Sequence, residues 1–124
     1  MPNLTVTLAR RVTTPFQRIW IETSAFIDRE DWSQVISGLR ELIELGPPRP
    51  VLVNTLILLG IACFRAGTLK AAGEAWESAL AIDPDDQHAN LFLGFVLMLS
   101  DDFDHAAAAF EKCTMLPSAI TTSR

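Results

Sequence analysis

Apolar residues recur along most of the chain at the spacing of helices. Between Leu69 and Ile82 they fall at positions 69, 72, 76, 79 and 80, which share one face of a helix. The stretch Val53–Ala66 is apolar on nearly every side, which predicts a helix covered by its neighbours. Gly67-Thr68 separates these two stretches, and Asp83-Pro84-Asp85-Asp86 ends the second. The pattern therefore predicts a helical hairpin over residues 53–86.

The same unit follows a second time with an offset of 34 residues. When residues 53–86 are placed on 87–120, glycine, alanine, leucine and glutamate positions coincide, and Trp76 falls on Phe110. The identical pairs are Leu59 and Leu93, Gly60 and Gly94, Ala72 and Ala106, Ala75 and Ala109, and Glu77 and Glu111. This predicts helices over 87–99 and 102–115 with a turn at Ser100-Asp101.

A looser copy precedes these two. Thr14-Pro15 has the form of a helix start, and Gly46 the form of a helix end. Helices are predicted over 16–29 and 32–45, with an offset of 37 that the insertion Pro47–Pro50 accounts for. We therefore expect an all-α fold of three tandem hairpins, with a single domain over 15–116 and repeats at about 16–49, 53–86 and 87–120. An N-terminal arm, 1–14, and a short tail, 117–124, complete the chain.

The period and its residues resemble the tetratricopeptide repeat. In the second repeat the slots of that family hold Leu56, Leu59-Gly60, Cys63, Gly67, Leu69, Ala72, Trp76, Ala79 and Pro84. In the third they hold Asn90, Leu93-Gly94, Leu97, Asp101, Phe103, Ala106, Phe110 and Cys113. The first repeat departs, with Thr23 in the glycine slot and Val35 in the first alanine slot. The resemblance implies a right-handed superhelix of stacked hairpins whose first helices line a concave face.

Ligands of this family usually touch five positions of each first helix, and the resemblance carries these positions to specific residues. In the second repeat they are Asn54, Ile57, Ile61, Phe64 and Arg65, and in the third His88, Leu91, Phe95, Met98 and Leu99. In the first they are Gln17, Trp20, Ser24, Ile27 and Asp28.

These positions are mostly apolar. The Lys, Asn and Arg set by which some relatives grip a C-terminal carboxylate is largely missing, so the resemblance implies a groove for an amphipathic helix of a partner protein. Two alternatives stay open at this stage. The side chains could pack on one another within the superhelix, or a second copy could cover the groove, giving a homodimer. Seven residues follow Pro117 in this sequence, too few for an extra polar-faced helix, so we expect the outer face of the last hairpin to be uncapped.

Small acidic proteins of three such repeats with an apolar groove resemble chaperones of bacterial type III secretion systems. The branch of similar length holds the needle subunit by its C-terminal helix and works with a second small helical co-chaperone. This resemblance implies a cytoplasmic protein that masks an apolar helix until secretion.

Composition and charge narrow the classes further. The chain has 124 residues, 49% of them apolar, with ten Lys and Arg against fifteen Asp and Glu. A net charge of −5 does not favour nucleic acid as a partner. Residues 71–111 contain nine acidic residues and no Lys or Arg, which suits either solvated turns or attraction of a basic partner. No apolar run is long enough for a membrane span, and the first residues do not have the pattern of a secretory signal.

Catalytic chemistry is not predicted. His105 and Cys113 would lie about 12 Å apart on one helix, which is too far for a nucleophile and its base. Asp101, Asp102 and Asp104 lack the glycine and distal Glu of a calcium loop and are interpreted as helix-capping residues. The two cysteines are interpreted as reduced thiols. We expect no cofactor, no metal site and no enzymatic activity.

Overall fold

The computed structural model describes residues 14–114. Six α-helices follow one another: α1 (Pro15–Asp28), α2 (Trp32–Glu44), α3 (Arg49–Arg65), α4 (Leu69–Ile82), α5 (Gln87–Leu99) and α6 (Phe103–Thr114). Over these residues the structure contains no strand, and the helices form three hairpins, α1–α2, α3–α4 and α5–α6, each packed on the next. The all-α expectation is confirmed. The arm before residue 14 and the tail after residue 116 lie outside the described residues.

Helix boundaries follow local capping chemistry. The Thr14 hydroxyl accepts a hydrogen bond from the Gln17 amide at 3.2 Å, and the Gln17 side chain accepts one from the Thr14 amide at 3.0 Å, which forms a capping box. The Asp86 carboxylate accepts from the Ala89 amide at 2.9 Å and caps α5 in the same way. Gly46 has a φ of 68°, the left-handed conformation that often follows a helix end.

Helix α3 begins four residues earlier than the sequence pattern predicts. The segment Pro47–Pro50, interpreted above as a stiff insertion between repeats, ends inside the first turn of this helix, which starts at Arg49. Pro50 fits there because the first amides of a helix have no intrahelical acceptor, and its fixed φ already matches the helix. Only 45–48 remain as the connection between the first two hairpins.

The core extends through the first two hairpins and into α5. Its most completely buried large side chains are Leu39, Leu42 and Val35 on α2, with Thr23 on α1 and Cys63 on α3. Trp76 on α4 is 3% exposed, and its indole N–H donates to the Ile57 carbonyl at 3.0 Å. The same ring stacks on Phe92 of α5 with centroids 5.3 Å apart. Trp76 therefore joins the second hairpin to the third.

In each hairpin a glycine on one helix faces a larger side chain on the other, and the helix that carries the glycine differs between hairpins. A Cβ on Gly60 would collide with the Trp76 ring, and one on Gly94 would lie 2.6 Å from the Phe110 ring. In these two hairpins the first helix therefore supplies the glycine and the second helix the aromatic ring. In the first hairpin the arrangement is reversed, because the buried Thr23 of α1 lies directly over Gly38 of α2. Thr23 in the glycine slot is therefore matched by a glycine across the helix pair.

Candidate functional site: an apolar groove on the first helices

The candidate positions lie on α1, α3 and α5, the first helices of the three hairpins. Four of those on α5 form one exposed apolar row, which we call the α5 stripe. Its members and their exposed fractions are Leu91 at 37%, Phe95 at 51%, Met98 at 44% and Leu99 at 59%. Their spacing of four, three and one residues places them on one side of the helix.

A small apolar cavity lies beside this stripe. It has a volume of about 180 Å³ and lies between α3 and α5, with Trp76 of α4 beneath. It is lined by Ile61, Phe64, Trp76, Phe92, Phe95 and Val96. Ile61, Phe64 and Phe95 were among the predicted groove positions, so the structure does bring these three together. We call this space the groove cavity.

Phe92, Val96 and Trp76 complete the groove cavity and were not among the predicted groove positions. Phe92 and Val96 are four residues apart on α5, so they share a face that turns toward α3 and α4. The sequence signal for them was the pairing of glycine and aromatic slots. A glycine at 60 opens room for a large ring at 76, and that ring needs a partner on the next hairpin. Phe95 also packs edge-on against Phe110, with centroids 5.6 Å apart, which holds its ring at the groove wall.

Two predicted groove residues, Ile57 and Arg65, are engaged in contacts within the protein. Ile57 is only 7% exposed and belongs to the core, so the prediction that it faces a ligand is wrong. Its position on α3 is covered because α3 packs against both α2 and α4. The Arg65 guanidinium pairs with the Glu30 carboxylate at 3.0 Å and lies over the Trp32 ring, 5.0 Å from its centroid. Arg65 therefore links the second hairpin to the first.

The remaining predicted positions are more scattered. Trp20 is 37% exposed, and Ile27 is partly buried against the core. His88 is exposed near Phe92, with ring centroids 6.3 Å apart. Asn54 lines a separate cavity of about 330 Å³ with Arg49, Ile82 and Asp83. Of the further first-helix positions in the first hairpin, Gln17 forms the capping box and Ser24 donates to the Trp20 carbonyl at 2.8 Å.

A larger cavity of about 450 Å³ lies on the other side, between α4 and α6. Its wall includes Leu80, Leu93 and Leu97, and charged or polar groups surround it, among them Asp102 and His105. The His105 imidazole lies 2.9 Å from the Asp102 carboxylate. This hydrogen bond lowers the pKa of Asp102 and, with the attraction between the charges, raises the pKa of His105. Both groups are exposed, and the Asp102 carboxylate also accepts from the His105 amide at 3.4 Å, so the pair stabilises the start of α6.

Charge is distributed unevenly along the molecule. Residues 14–70 carry six acidic and six basic side chains, whereas 71–114 carry nine acidic side chains and one basic, Lys112. Five of the nine lie in the two turns that bracket α5, at 83, 85, 86, 101 and 102, and Asp104 lies in the first turn of α6. The groove cavity and the α5 stripe are therefore apolar, while both ends of α5 are negative.

Among 14–114, none of the helices combines the length and hydropathy required to cross a bilayer. The same range contains no group of three or more His, Cys, Asp or Glu placed to hold a metal ion.

Known proteins of similar structure share this hairpin architecture. MamA from Desulfovibrio magneticus RS-1, residues 41 to the end, superposes with a TM-score of 0.74 at 23% identity over 90% of this chain. A further crystal structure of MamA gives a TM-score of 0.75 at 23% identity over 89%. These are helical solenoids of the tetratricopeptide type. The chain has a tetratricopeptide-like fold.

The structure of the CopN–Scc3 complex also contains a chain of this shape, with a TM-score of 0.71, 13% identity and coverage of 91% of this chain and 68% of its own. The chain spans 60–63% of the length of the MamA chains it matches. No protein-family model and no curated protein matches the sequence. At these identities the likeness shows the fold alone.

Proposed function

We propose that the chain is a protein-interaction module that binds an amphipathic helix of a partner in the groove of its first helices. The observation that carries the proposal is the α5 stripe, four large apolar side chains that are between 37% and 59% exposed, next to the groove cavity. Contiguous apolar surface of this kind usually marks a binding site. Binding would need no bond to be made or broken.

The groove cavity supports a helix as the ligand. Its 180 Å³ is close to that of an engineered apolar cavity of about 150 Å³ that holds benzene, so a leucine or phenylalanine side chain would fit. A helix presents such side chains at i, i+3, i+4 and i+7 on one face. One of them would enter the cavity while its neighbours cover the α5 stripe.

A peptide with one apolar face tests this assignment. The probe is a fluorescently labelled 18-residue helix with leucines at i, i+3, i+4 and i+7 and glutamines elsewhere, titrated with the protein and followed by anisotropy. The double variant Phe95→Asn, Leu99→Asn should weaken binding about tenfold or more, because it removes the two most exposed apolar side chains of the stripe.

The matched control is Leu45→Asn. Leu45 is 47% exposed and follows the last residue of α2, and it belongs neither to the α5 stripe nor to the lining of the groove cavity. Circular dichroism should remain helical for both proteins. Equal affinities for wild type, the control and the double variant would reject the groove as the binding surface.

The narrower form of the proposal is a cytoplasmic chaperone that masks the needle subunit of a type III secretion system, together with a small helical co-chaperone. Its support is the size, acidity and apolar groove of the chain, and the presence of this fold in the CopN–Scc3 complex. Masking would follow from geometry, because a needle helix held against the α5 stripe is not free to polymerise. Co-expression with the needle subunit encoded in the same genome, followed by size-exclusion chromatography, tests it. A needle subunit that elutes without the chain would exclude this role.

The second candidate is a self-assembling scaffold, and the same exposed α5 stripe favours it. Two copies could cover each other's stripes and form a homodimer. Light scattering distinguishes this from binding of a separate partner, because a self-assembling chain must show a mass above that of one protomer at high concentration. A mass of one chain at millimolar concentration would remove this candidate.

A further inference from the structure

The lining of the groove cavity specifies which side chain of a partner helix it favours. We propose that the partner helix anchors in this cavity with a phenylalanine, whose aromatic ring carries no polar atom. This inference rests on the proposed function, since it names the anchoring residue of the helix that the groove binds. It follows from the volume of the cavity, from the aromatic side chains in its lining and from the hydrogen bond that occupies the Trp76 N–H.

Aromatic side chains form most of the cavity wall. Four of its six lining side chains are aromatic, namely Phe64, Trp76, Phe92 and Phe95, and the other two are aliphatic. Trp76 is 3% exposed and stacks on Phe92, so these two rings form a wall that packing holds in place. A further ring can meet such a wall in edge-to-face or offset contact, which adds to the gain from burial. A leucine side chain would gain the burial without the ring contacts.

The open side of the cavity lies between two rings from different helices. Phe64 of α3 is 39% exposed and Phe95 of α5 is 51% exposed, whereas Val96, which also lines the cavity, is 5% exposed. Phe95 is supported from behind by its edge-on contact with Phe110. A ring that enters between Phe64 and Phe95 would therefore contact both the second and the third hairpin.

The described lining side chains leave no hydrogen-bonding group for a ligand. The polar atom among them is the indole nitrogen of Trp76, whose N–H already donates to the Ile57 carbonyl at 3.0 Å. The other five side chains are hydrocarbon. A tyrosine or tryptophan from a partner would bury its O–H or N–H there without an acceptor, which costs binding free energy. The cavity therefore disfavours both as anchors.

The volume of the cavity limits the size of the anchor. Its 180 Å³ exceeds only slightly the volume of about 150 Å³ that holds one benzene molecule. A phenyl ring would fill it with little space left over, and filling the space restores contacts that its wall otherwise lacks. The two fused rings of an indole are larger and would require the wall to move.

Variants of the leucine peptide described above test this anchor on the unmodified protein. Phenylalanine, tyrosine or cyclohexylalanine replaces the leucine at i+4. The phenylalanine peptide should bind about 3- to 10-fold more tightly than the leucine peptide and about tenfold or more tightly than the tyrosine peptide. It should also bind more tightly than the cyclohexylalanine peptide, whose ring has a similar size and no π-face. Intermolecular nuclear Overhauser effects should connect the phenylalanine ring to the Val96 methyl groups.

Protein variants locate the preference in the cavity wall. Phe64→Leu removes one aromatic wall and keeps it apolar, so it should at least halve the preference for the phenylalanine peptide over the leucine peptide. The matched control is Phe16→Leu, which makes the same change on α1 outside the cavity lining and should keep the preference. Ile61→Phe would partly fill the cavity and should weaken binding of the phenylalanine peptide about tenfold. Circular dichroism should remain helical for all three proteins.

The outcomes separate the two proposals. If neither the leucine nor the phenylalanine peptide binds, the groove assignment fails and the phenylalanine anchor falls with it. If the leucine peptide binds and the phenylalanine peptide binds no more tightly, the anchor is overturned while the groove assignment stands. Tyrosine or cyclohexylalanine peptides that bind as tightly as the phenylalanine peptide, or a bound ring that shows no contact with Val96, would overturn it as well. So would an equal loss of preference in Phe16→Leu and Phe64→Leu.

Discussion

Each hairpin turns through one residue in the left-handed conformation, and only one of the three is glycine. Glu30, Gly67 and Asp101 have φ values of 55°, 87° and 61°. The hydrogen bonds repeat as well, since the next amide reaches back across the turn: Asp31 to the Phe26 carbonyl, Thr68 to Cys63 and Asp102 to Leu97. This is the glycine-favouring end of a helix, so two hairpins retain a side chain where a glycine would be less strained.

We predict that Asp101→Gly stabilises the fold by about 0.5–1 kcal/mol, because glycine adopts this φ without the Cβ penalty. Glu30→Gly should gain less, since Glu30 also pairs with Arg65 at 3.0 Å. Gly67→Ala, the reverse change at the equivalent position, should cost about 1 kcal/mol. Urea unfolding of the three variants measures these differences. A loss of stability in Asp101→Gly would contradict the prediction.

The Asp102–His105 pair makes stability depend weakly on pH. The raised pKa of His105 means that its contribution is complete below its ordinary value of 6.5 and is lost as the pH rises through the higher folded pKa. The lowered pKa of Asp102 means that its contribution is complete above 3.8 and is lost as the pH falls through the lower folded pKa. The pair therefore stabilises most between about pH 4 and 6.5.

We expect His105→Gln to lose thermal stability relative to wild type at pH 5.5 and to differ little from it at pH 9. The effect should be small, because the His105 side chain is 77% exposed and solvent screens the pair. Melting temperatures of both proteins across this range give the measurement. His88→Gln serves as the control, since His88 lies on α5 apart from this pair. An unchanged difference between wild type and His105→Gln at both pH values would exclude the pair as its source.

At the scale of elements, the packing of a hairpin is set by where its glycine lies. Gly60 and Gly73 both lie within helices and are both buried. A Cβ at Gly60 would enter the Trp76 ring, whereas a Cβ at Gly73 would meet Val96 at 3.6 Å and Leu93 at 3.9 Å, which is ordinary contact. The two positions therefore make a matched pair for the cost of crowding.

We predict opposite signs for the same substitution at these positions. Gly73→Ala should stabilise by about 0.5–1 kcal/mol through the higher helix propensity of alanine. Gly60→Ala should destabilise by about 1–3 kcal/mol, because Trp76 must move away from Phe92 and from the Ile57 carbonyl. Denaturant midpoints with unchanged slopes provide the comparison. Stabilisation by Gly60→Ala would mean that the ring is not held as the structure places it.

Most of the helix boundaries could be predicted from the sequence. The predicted bounds of α4 and α5 coincide with the observed helices, because Gly67-Thr68, the run 83–86 and Ser100-Asp101 mark their ends. The start of α3 was missed because proline ends a helix in most positions and begins one in the first turn. In the first hairpin the larger residue, Thr23, lies on the first helix and the glycine, Gly38, on the second. This reversal could not be predicted from one repeat position, because it depends on two residues from different helices.

The candidate site was harder to predict for the same reason. The repeat pattern identifies residues on the first helices, but packing of the neighbouring hairpins determines which of these side chains stay exposed. Ile57 is covered by the helices on both sides of α3, and Arg65 is drawn to Glu30 and Trp32, neither of which belongs to its own repeat. The α5 stripe remains exposed because, within the described residues, only α4 and α6 pack closely against α5.

At the scale of the whole molecule, the hairpins are unequally supported. The largest fully buried side chains lie on α1, α2 and α3. On α6, among the side chains from Asp104 to Lys112, only Ala106 and Ala109 are buried, and both are small. In a stack where each hairpin contacts only its neighbours, local stability follows the apolar area buried at each interface. The third hairpin should therefore open more readily than the first two.

Hydrogen exchange should resolve this gradient. We predict that amides of α2 and α3 exchange most slowly, those of α6 most rapidly, and those of α5 between them. Adding the leucine-faced peptide should slow exchange in α5 and α6 by a larger factor than in α2, because binding to the α5 stripe stabilises the weakest hairpin directly. The double variant Phe95→Asn, Leu99→Asn should abolish the peptide effect and leave the protection of α2 in place. Uniform protection along the chain, with or without the peptide, would mean that the three hairpins unfold as one unit and that the groove does not depend on the stability of its last hairpin.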